Sequence, residues 1–288
     1  MDWKPGRMNA FPSDRRAAES LSAAEANQRY YASRAADYDQ TEECVTIERH
    51  RHRIRRVLAV AISSAQCHER VLDACGGSGY ASLELRTMGL DVLTVDISPE
   101  MLAIYEKKAV DAGFASRTEL SEIGSFLTGY EGQWDVIVFS SALHHLDDYH
   151  SVLLAASARL ASGGVIATVF DPISAPGLGV WVRYIDYLLW LAARQPVTLI
   201  HRLWERARRR SAGRPSVGRL AERHALSGID DVALAQDLEK HGLEIILHER
   251  EYDARFALTR RILRLLSLPS SFSFVVRLSS GVNGDAGP

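Results

Sequence analysis

Hydrophobic and polar positions alternate along this chain in two registers, and the switches between them predict its elements. "RVLDAC" at 70–75 is an apolar run interrupted by one aspartate and predicts a buried strand. "SGYASLELRTMG" at 78–89 changes to a helical period and stops at Gly89. The exchange repeats with strand "DVLTVDI" at 91–97, helix "SPEMLAIYEKKAVDAG" at 98–113, a short strand "RTELSEI" at 117–123 and strand "WDVIVFSS" at 134–141. Ser98 suits an N-cap and Pro99 the first helical position. A helix "HSVLLAASARLASGG" at 150–164, ending in a glycine pair, leads to strand "VIATVFDP" at 165–172. This order predicts an α/β fold built on a doubly wound, mostly parallel sheet.

The alternation breaks after Pro172. Residues 173–228 hold apolar-aromatic helical stretches and an arginine cluster, and predict an inserted helical cap. Beyond it come helix "DDVALAQDLEKHG" at 230–242, strand "LEIILHEREY" at 243–252, helix "ARFALTRRILRLLS" at 254–267 and strand "FSFVVRL" at 272–278, bringing the sheet to seven strands. The core is therefore expected at 28–172 and 229–280, with a flexible tail at 1–27, although the helical pattern already begins near Ser22.

Composition narrows the function classes. A net charge of −2 over 288 residues gives no general affinity for nucleic acid. Cys44, Cys67 and Cys75 have no metal-ligand spacing, so no metal is expected and reduced thiols in a cytoplasmic protein are. The opening residues contain no apolar stretch of the signal-peptide kind, and "WVRYIDYLLWLAA" at 181–193 is too short and too charged to span a bilayer.

The turn "CGGSGY" at 75–80 raises the question of its ligand. A dinucleotide fingerprint requires a third glycine where Ser82 stands, and no lysine follows for a phosphate loop. Asp73 and Asp96, each ending a predicted strand, either cap the following helices or hold a ligand; Asp96 suits a ribose diol. At these residues the chain resembles the class I S-adenosylmethionine-dependent methyltransferases. "VLDACGGSGY" is similar to their first motif, "VDISPEML" to the second and "ELSEIGSFL" to the adenine segment. "WDVIVFSSALHHLDD" with "RLASGGVIATVFDP" is similar to the ubiquinone-biosynthesis-like branch, and "YYASRAADYD" to its cofactor-covering helix. Cys75 departs from the Gly or Ala usual in the family.

The resemblance implies a Rossmann-like fold that binds S-adenosyl-L-methionine and releases S-adenosyl-L-homocysteine. It assigns the amides of Gly77, Ser78 and Gly79 to the methionyl carboxylate and Asp73 to the ammonium. Asp96 would take the ribose hydroxyls, Ile97 and Met101 the adenine faces, and Glu122, beside Ile123, the exocyclic amine. Tyr31 and Tyr38 are candidate covering residues, and Cys75, Gly76 and Ser140 complete the cofactor set.

His144 and His145 follow the fourth strand, where the fold presents the transferred methyl. His144 is the candidate base and His145 the residue that holds the loop, while Asp147 and Asp148 suit a helix cap or, for Asp147, an orienting partner. In the cap, Trp181, Tyr184, Tyr187 and Arg202 are candidate acceptor residues. The eight arginines between His201 and His224 form a solvated face, an anion grip or a weak membrane-surface contact. The expected acceptor is a bulky, aromatic or anionic small molecule of specialised or lipid metabolism, methylated on oxygen ahead of nitrogen or carbon. Nucleic acid is not an expected partner, and a homodimer is allowed. The rival readings are non-methylating cyclase chemistry and a non-catalytic cofactor-binding subunit.

Overall fold

A computed structural model describes residues 22–174, 177–194 and 227–279. Seven strands form one sheet: β1 (Val71–Ala74), β2 (Val92–Asp96), β3 (Arg117–Leu120), β4 (Trp134–Ser140), β5 (Leu160–Pro172), β6 (Leu243–Glu251) and β7 (Ser271–Leu278). Their order is β3-β2-β1-β4-β5-β7-β6. β1 to β5 run parallel, whereas β7 is antiparallel to both β5 and β6.

The central strands are covered on both faces, which is why they read as unbroken apolar runs. Side chains alternate between two cores. Leu72, Ala74, Ile137 and Phe139 enter one, while Val71, Val136, Val138 and Val165 enter the other. Helix α4 (Glu48–Ser64) covers the second face with Ile54, Val57, Leu58 and Ala61, spaced to lie along one helical stripe. Before it come α1 (Ala23–Arg34), a 3-10 turn (Ala35–Asp37), α2 (Tyr38–Thr41) and α3 (Glu43–Thr46). Ser22 and Glu25 form a capping box on α1, so residues 22–27 belong to this helix rather than to a tail ending at 27.

Helices α5 (Tyr80–Thr87), α6 (Pro99–Asp111), α7 (Ile123–Gly129) and α8 (Tyr149–Ala158) connect the parallel strands. Ser98 caps α6 with Pro99 in its first turn, as the sequence predicts. α8 ends earlier than predicted. Leu160 already pairs with Trp134, and the register shifts before Val136 meets Val165. Gly163, with φ +69°, belongs to that irregularity in β5 and does not stop a helix.

Past β5, α9 (Leu178–Arg194) is the part of the expected cap that the described residues contain. The insertion leaves and re-enters at one point, where Ile173 bridges Ile229 and the Ser174 and Ile229 amides donate to Ile229 O and Pro172 O at 2.8 Å each. α10 (Asp231–Lys240) and α11 (Ala257–Leu265) then flank β6. No helix among the described residues is long and apolar enough to cross a membrane.

Chain order reverses between β1 and β4, so the loops at their carboxyl ends splay apart and leave a crevice. The turn after β1 is tight because two glycines lie against neighbouring side chains. A Cβ on Gly76 would sit 2.4 Å from Thr94 Cγ2, and one on Gly79, at φ +76°, 2.0 Å from Tyr105 Cδ2. Gly79→Ala is therefore expected to cost about 2–4 kcal/mol, combining left-handed backbone with overpacking. Gly113 has a similar φ of +77° with nothing within 4 Å. Gly113→Ala should cost only about 1–2 kcal/mol. Denaturant unfolding of both variants checks the difference; equal losses would mean that Tyr105 yields freely.

Candidate active site

A cavity of about 370 Å³ opens in the crevice at the switch point. The turn supplies Cys75, Gly76, Gly77 and Ser78, and β2 supplies Asp96 and Ile97. Met101, Glu122, Ile123 and Ser140 add further wall. These are the residues the sequence assigns to a cofactor, gathered by the strand ends. Two glycine side chains are missing where backbone meets the cavity, and apolar Ile97, Met101 and Ile123 stand near a buried carboxylate. Such a donor set fits a molecule with an aromatic base, a diol and a charged end.

The hydrogen bonds within the turn differ from those expected. Gly77 N donates to Asp96 Oδ2 at 2.8 Å, and Gly79 N to Gly76 O at 2.9 Å, so two of the three amides expected on a carboxylate have internal acceptors. Asp96 Oδ1 accepts from Ser98 N at 2.8 Å. Burial pushes the Asp96 carboxyl up, against these backbone donors, which favour its charged form. Gly79 caps α5 and is not in the wall.

Asp73 does not line the cavity; it lies beneath the turn, fully buried, with Oδ2 accepting from Ser82 Oγ at 2.6 Å. Ser82 Oγ also lies 2.6 Å from Thr94 Oγ1, so Asp73 joins β1, α5 and β2. Its Oδ1 has no partner, and burial pushes its carboxyl up to about 7 despite the Ser82 bond. Glu122 lines the cavity while its oxygens cap α7, accepting from Gly124 N at 2.9 Å and Ser125 N at 2.7 Å. Cys75 takes φ +59°, and burial drives its thiol well above the ordinary range, disfavouring the thiolate.

The N-terminal helices cross the cavity mouth, with Tyr31 and Tyr38 in its wall. Tyr31 Oη lies 2.8 Å from His145 Nε2, and Asn27 Nδ2 donates to His145 O at 2.9 Å. His145 thus ties the loop after β4 to α1. Asn27 Oδ1, buried in the same wall, has no hydrogen-bond partner. Ser78 Oγ donates to Asp39 Oδ1 at 2.7 Å, and Lys108 Nζ lies 2.8 Å from Asp39 Oδ2, which fastens α2 to the turn.

His144 is buried in the cavity wall on a 3-10 turn (Leu143–His145). Its Nδ1 lies 2.9 Å from Asp171 Oδ1, and its backbone N donates to the same oxygen at 3.2 Å. Asp171 is completely buried, and burial pushes its carboxyl up to about 7 against the His144 amide. The sequence reading did not single out Asp171. Its signal was an acid closing the strand run "VIATVFDP", as Asp73 and Asp96 close theirs. Of the nearer candidates, Asp148 caps α8 by accepting from Ser151 N at 3.0 Å, and Asp147 joins the cavity wall.

The acceptor residues expected in the cap are not gathered at this cavity. Trp181 is 63% exposed and meets Tyr184 edge-on, while Tyr187 and Trp190 stack beneath the Arg255 guanidinium. None of them lines the cavity wall. Arg202 and the rest of the arginine run lie outside the described residues. A second pocket of about 240 Å³, sharing Glu42 and Ser141 with the first, is instead reached by α9 through Arg183. No group of three metal-ligating side chains occurs among the described residues.

Residues 46–248 match the model of a family described as a methyltransferase domain. The chain belongs to that family. A ubiquinone biosynthesis O-methyltransferase of Bordetella avium is 28% identical over 33% of this chain and 39% of its own. A ubiquinone/menaquinone biosynthesis C-methyltransferase of Teredinibacter turnerae is 27% identical over 39% of this chain and 47% of its own. The chain thus spans about half or less of the length of these curated relatives. Among solved structures, the magnesium protoporphyrin IX methyltransferase of Synechocystis PCC 6803, with S-adenosylhomocysteine bound, superposes with a TM-score of 0.56 at 14% identity, covering 90% of this chain and 100% of that one. The sheet of this methyltransferase-domain protein has that Rossmann-like fold.

Burial of Asp73 gives this methyltransferase domain a pH signature. Folding raises its pKa to about 7, while an unfolded aspartate titrates near ~3.9. Between those values the folded state holds the extra proton, so the Asp73 contribution to stability falls as pH rises. Asp73→Asn cannot ionise and keeps an acceptor for Ser82. Its stability relative to the natural protein should improve as pH rises from about 4 to about 7, then stay level. Denaturant melts across that range check the slope; a constant difference would mean that Asp73 ionises freely.

Proposed function

We propose that this chain is an S-adenosylmethionine-dependent methyltransferase of a small-molecule acceptor, that it methylates a hydroxyl oxygen, and that His144 removes the hydroxyl proton. The observation that carries the reading is the His144–Asp171 pair, 2.9 Å between Nδ1 and Oδ1, in the wall of the cavity. Family membership supports methyl transfer; O- and C-methylating relatives alike leave the accepting atom to the chemistry of the site.

Bound in the cavity, S-adenosylmethionine supplies a methyl on a sulfonium, open to in-line displacement. Asp96 would accept from the ribose hydroxyls, and Ile97, Met101 and Ile123 would hold the adenine apolarly. Asn27 Oδ1, buried and unpartnered, is an unspent acceptor for the ammonium. The Tyr31–His145 contact and the Asp39–Ser78–Lys108 clasp would keep the N-terminal helices closed and water out. Holding the reactants in line accounts for the larger part of such catalysis, up to roughly 7–11 kcal/mol.

His144 adds proton removal. With an Nδ1–H directed at Asp171, the imidazole would use Nε2 as its accepting nitrogen. A phenol or alcohol attacking the methyl loses its proton as the new bond forms, and a base there contributes about 10²–10⁴. Burial lifts the Asp171 carboxyl to about 7. Protonating Asp171 removes the acceptor that orients the imidazole, so turnover should fall as pH drops below neutrality. We further propose that 173–228 is the acceptor cap.

Two measurements test this reading. Asp96→Ala should weaken S-adenosylhomocysteine binding at least about tenfold by calorimetry, because two hydrogen bonds to a charged group are lost. Unchanged affinity in the folded variant would remove the ribose assignment. His144→Ala should lower turnover roughly 10²–10⁴-fold and erase the acid limb while leaving S-adenosylhomocysteine affinity near the original. A His144→Ala enzyme with most of its activity and an unchanged pH profile would instead point to an amine or carbon acceptor that needs no base.

A further inference from the structure

Among the described residues, the second pocket holds a cation that no carboxylate pairs with. Arg183, half-buried on α9, donates from Nη1 to Ser270 O at 3.0 Å, and no carboxylate among the described residues pairs with it. Burial lowers its pKa. The acids of the same pocket are already matched. Asp253 accepts from both terminal nitrogens of Arg53, at 2.9 and 3.1 Å, and lies 3.3 Å from His50 Nε2. Burial would raise the Asp253 carboxyl, but His50 and Arg53 outweigh it and hold the group well below the usual range. Glu42 lies 3.6 Å from Arg34 Nη2. Phe170 and Pro172, on either side of Asp171 in β5, give the pocket an apolar wall.

We propose that Arg183 is a specificity residue that binds a carboxylate carried by the acceptor, so that the substrate class is a hydroxylated carboxylic acid. The inference rests on the methyltransferase reading of the adjoining cavity. Among the described residues Arg183 is the cation of this pocket without a carboxylate partner, and a single carboxylate would neutralise it. A dianion such as a phosphate monoester would leave surplus negative charge beside Asp253 and Glu42, and is disfavoured by like-charge repulsion. With one terminal nitrogen directed at Ser270 O, the rest of the guanidinium keeps N–H groups for a carboxylate. The pockets adjoin at Glu42 and Ser141, so a molecule anchored at Arg183 can extend past Phe170 toward His144.

The test uses matched probes: 3-hydroxybenzoate, 4-hydroxycinnamate and 12-hydroxydodecanoate, each against its carboxamide. Binding is measured by calorimetry with S-adenosylhomocysteine present, and S-adenosylhomocysteine affinity is measured separately. At least one acid should bind about tenfold or more tightly than its amide, the gain expected of a charged pair. Arg183→Met should remove that preference, and Arg183→Lys, which keeps the charge and loses the fork, should keep part of it. Acid and amide binding equally, or no probe binding, overturns the proposal, as does an acid preference that survives Arg183→Met. If Arg183→Met fails to fold, an undiminished preference in Arg183→Lys also overturns it. Failure of S-adenosylhomocysteine to bind the natural protein would instead strike the methyltransferase reading itself.

Discussion

The turn after β1 has no room for side chains on its inner side, and the rest of the site depends on that constraint. Gly76 lies against Thr94 and Gly79 against Tyr105, so the backbone itself forms the floor of the crevice. Two carboxyl groups fix the turn from opposite sides. Asp73, below, reaches Ser82 and through it Thr94; Asp96 accepts from the Gly77 amide. Both lie largely out of water, where a hydrogen bond is strong and an unpaired charge costly. The arrangement makes the floor rigid before any ligand arrives. Asp73, at the strand end, ties β1 to α5 through Ser82.

Much of this fold was legible because its pattern is local. Runs such as "RVLDAC" and "WDVIVFSS" carry their strand character in their own residues, and Ser98-Pro99 carries its helix start. What was illegible depends on distant pairing. Asp73 faces α5, and only the packing of Ser82 against β1 reveals that its carboxylate is enclosed. Asp171 meets His144 because β4 and β5 pair as far as Ser140 and Val169, bringing the next residues of β5 beside the loop. No short motif spans the 27 positions between them. The Gly163-Gly164 pair misleads for a related reason: a glycine after a helical run marks a stop or a strand irregularity equally well. In α9, helical spacing marks Trp181, Tyr184 and Tyr187 as neighbours without saying which body they face; the residue that reaches a pocket is Arg183.

Departures from regular backbone gather at the crevice. Cys75, Ser141 and Phe170 take φ of 59°, 56° and 70°, and Cys75 and Ser141 line the main cavity. Left-handed backbone costs such residues roughly 1–2 kcal/mol each. Surrounding contacts hold them there: Ser141 N donates to Val169 O at 2.6 Å, and the Phe170 ring packs 4.7 Å from His50 beneath the Arg53 guanidinium. The buried carboxyls Asp73 and Asp171 and the half-buried Asp96 lie at the same crevice. Strain and buried charge concentrated at one opening are what a pre-organised site requires.

The end of β5 is where the surroundings of the two pockets meet. Within four consecutive residues it bears Phe170 in the second pocket, Asp171 on His144, Pro172 in the second pocket and Ile173 in the bridge to Ile229. Phe170 and Pro172, two residues apart, line the second pocket while Asp171 between them meets His144, the alternation a strand imposes. A register shift against β7 and the left-handed Phe170 lie at the same point. The insertion springs from the same strand end, clasped there by Ile173 and Ile229. A change in how α9 sits would therefore act on the segment that orients His144, without any contact between α9 and the histidine being needed. Under the proposed reading, in which a hydroxyl is aligned with a methyl donor, acceptor grip and base would sit on one strand end, and a correctly seated acceptor and a correctly oriented imidazole would share one geometry.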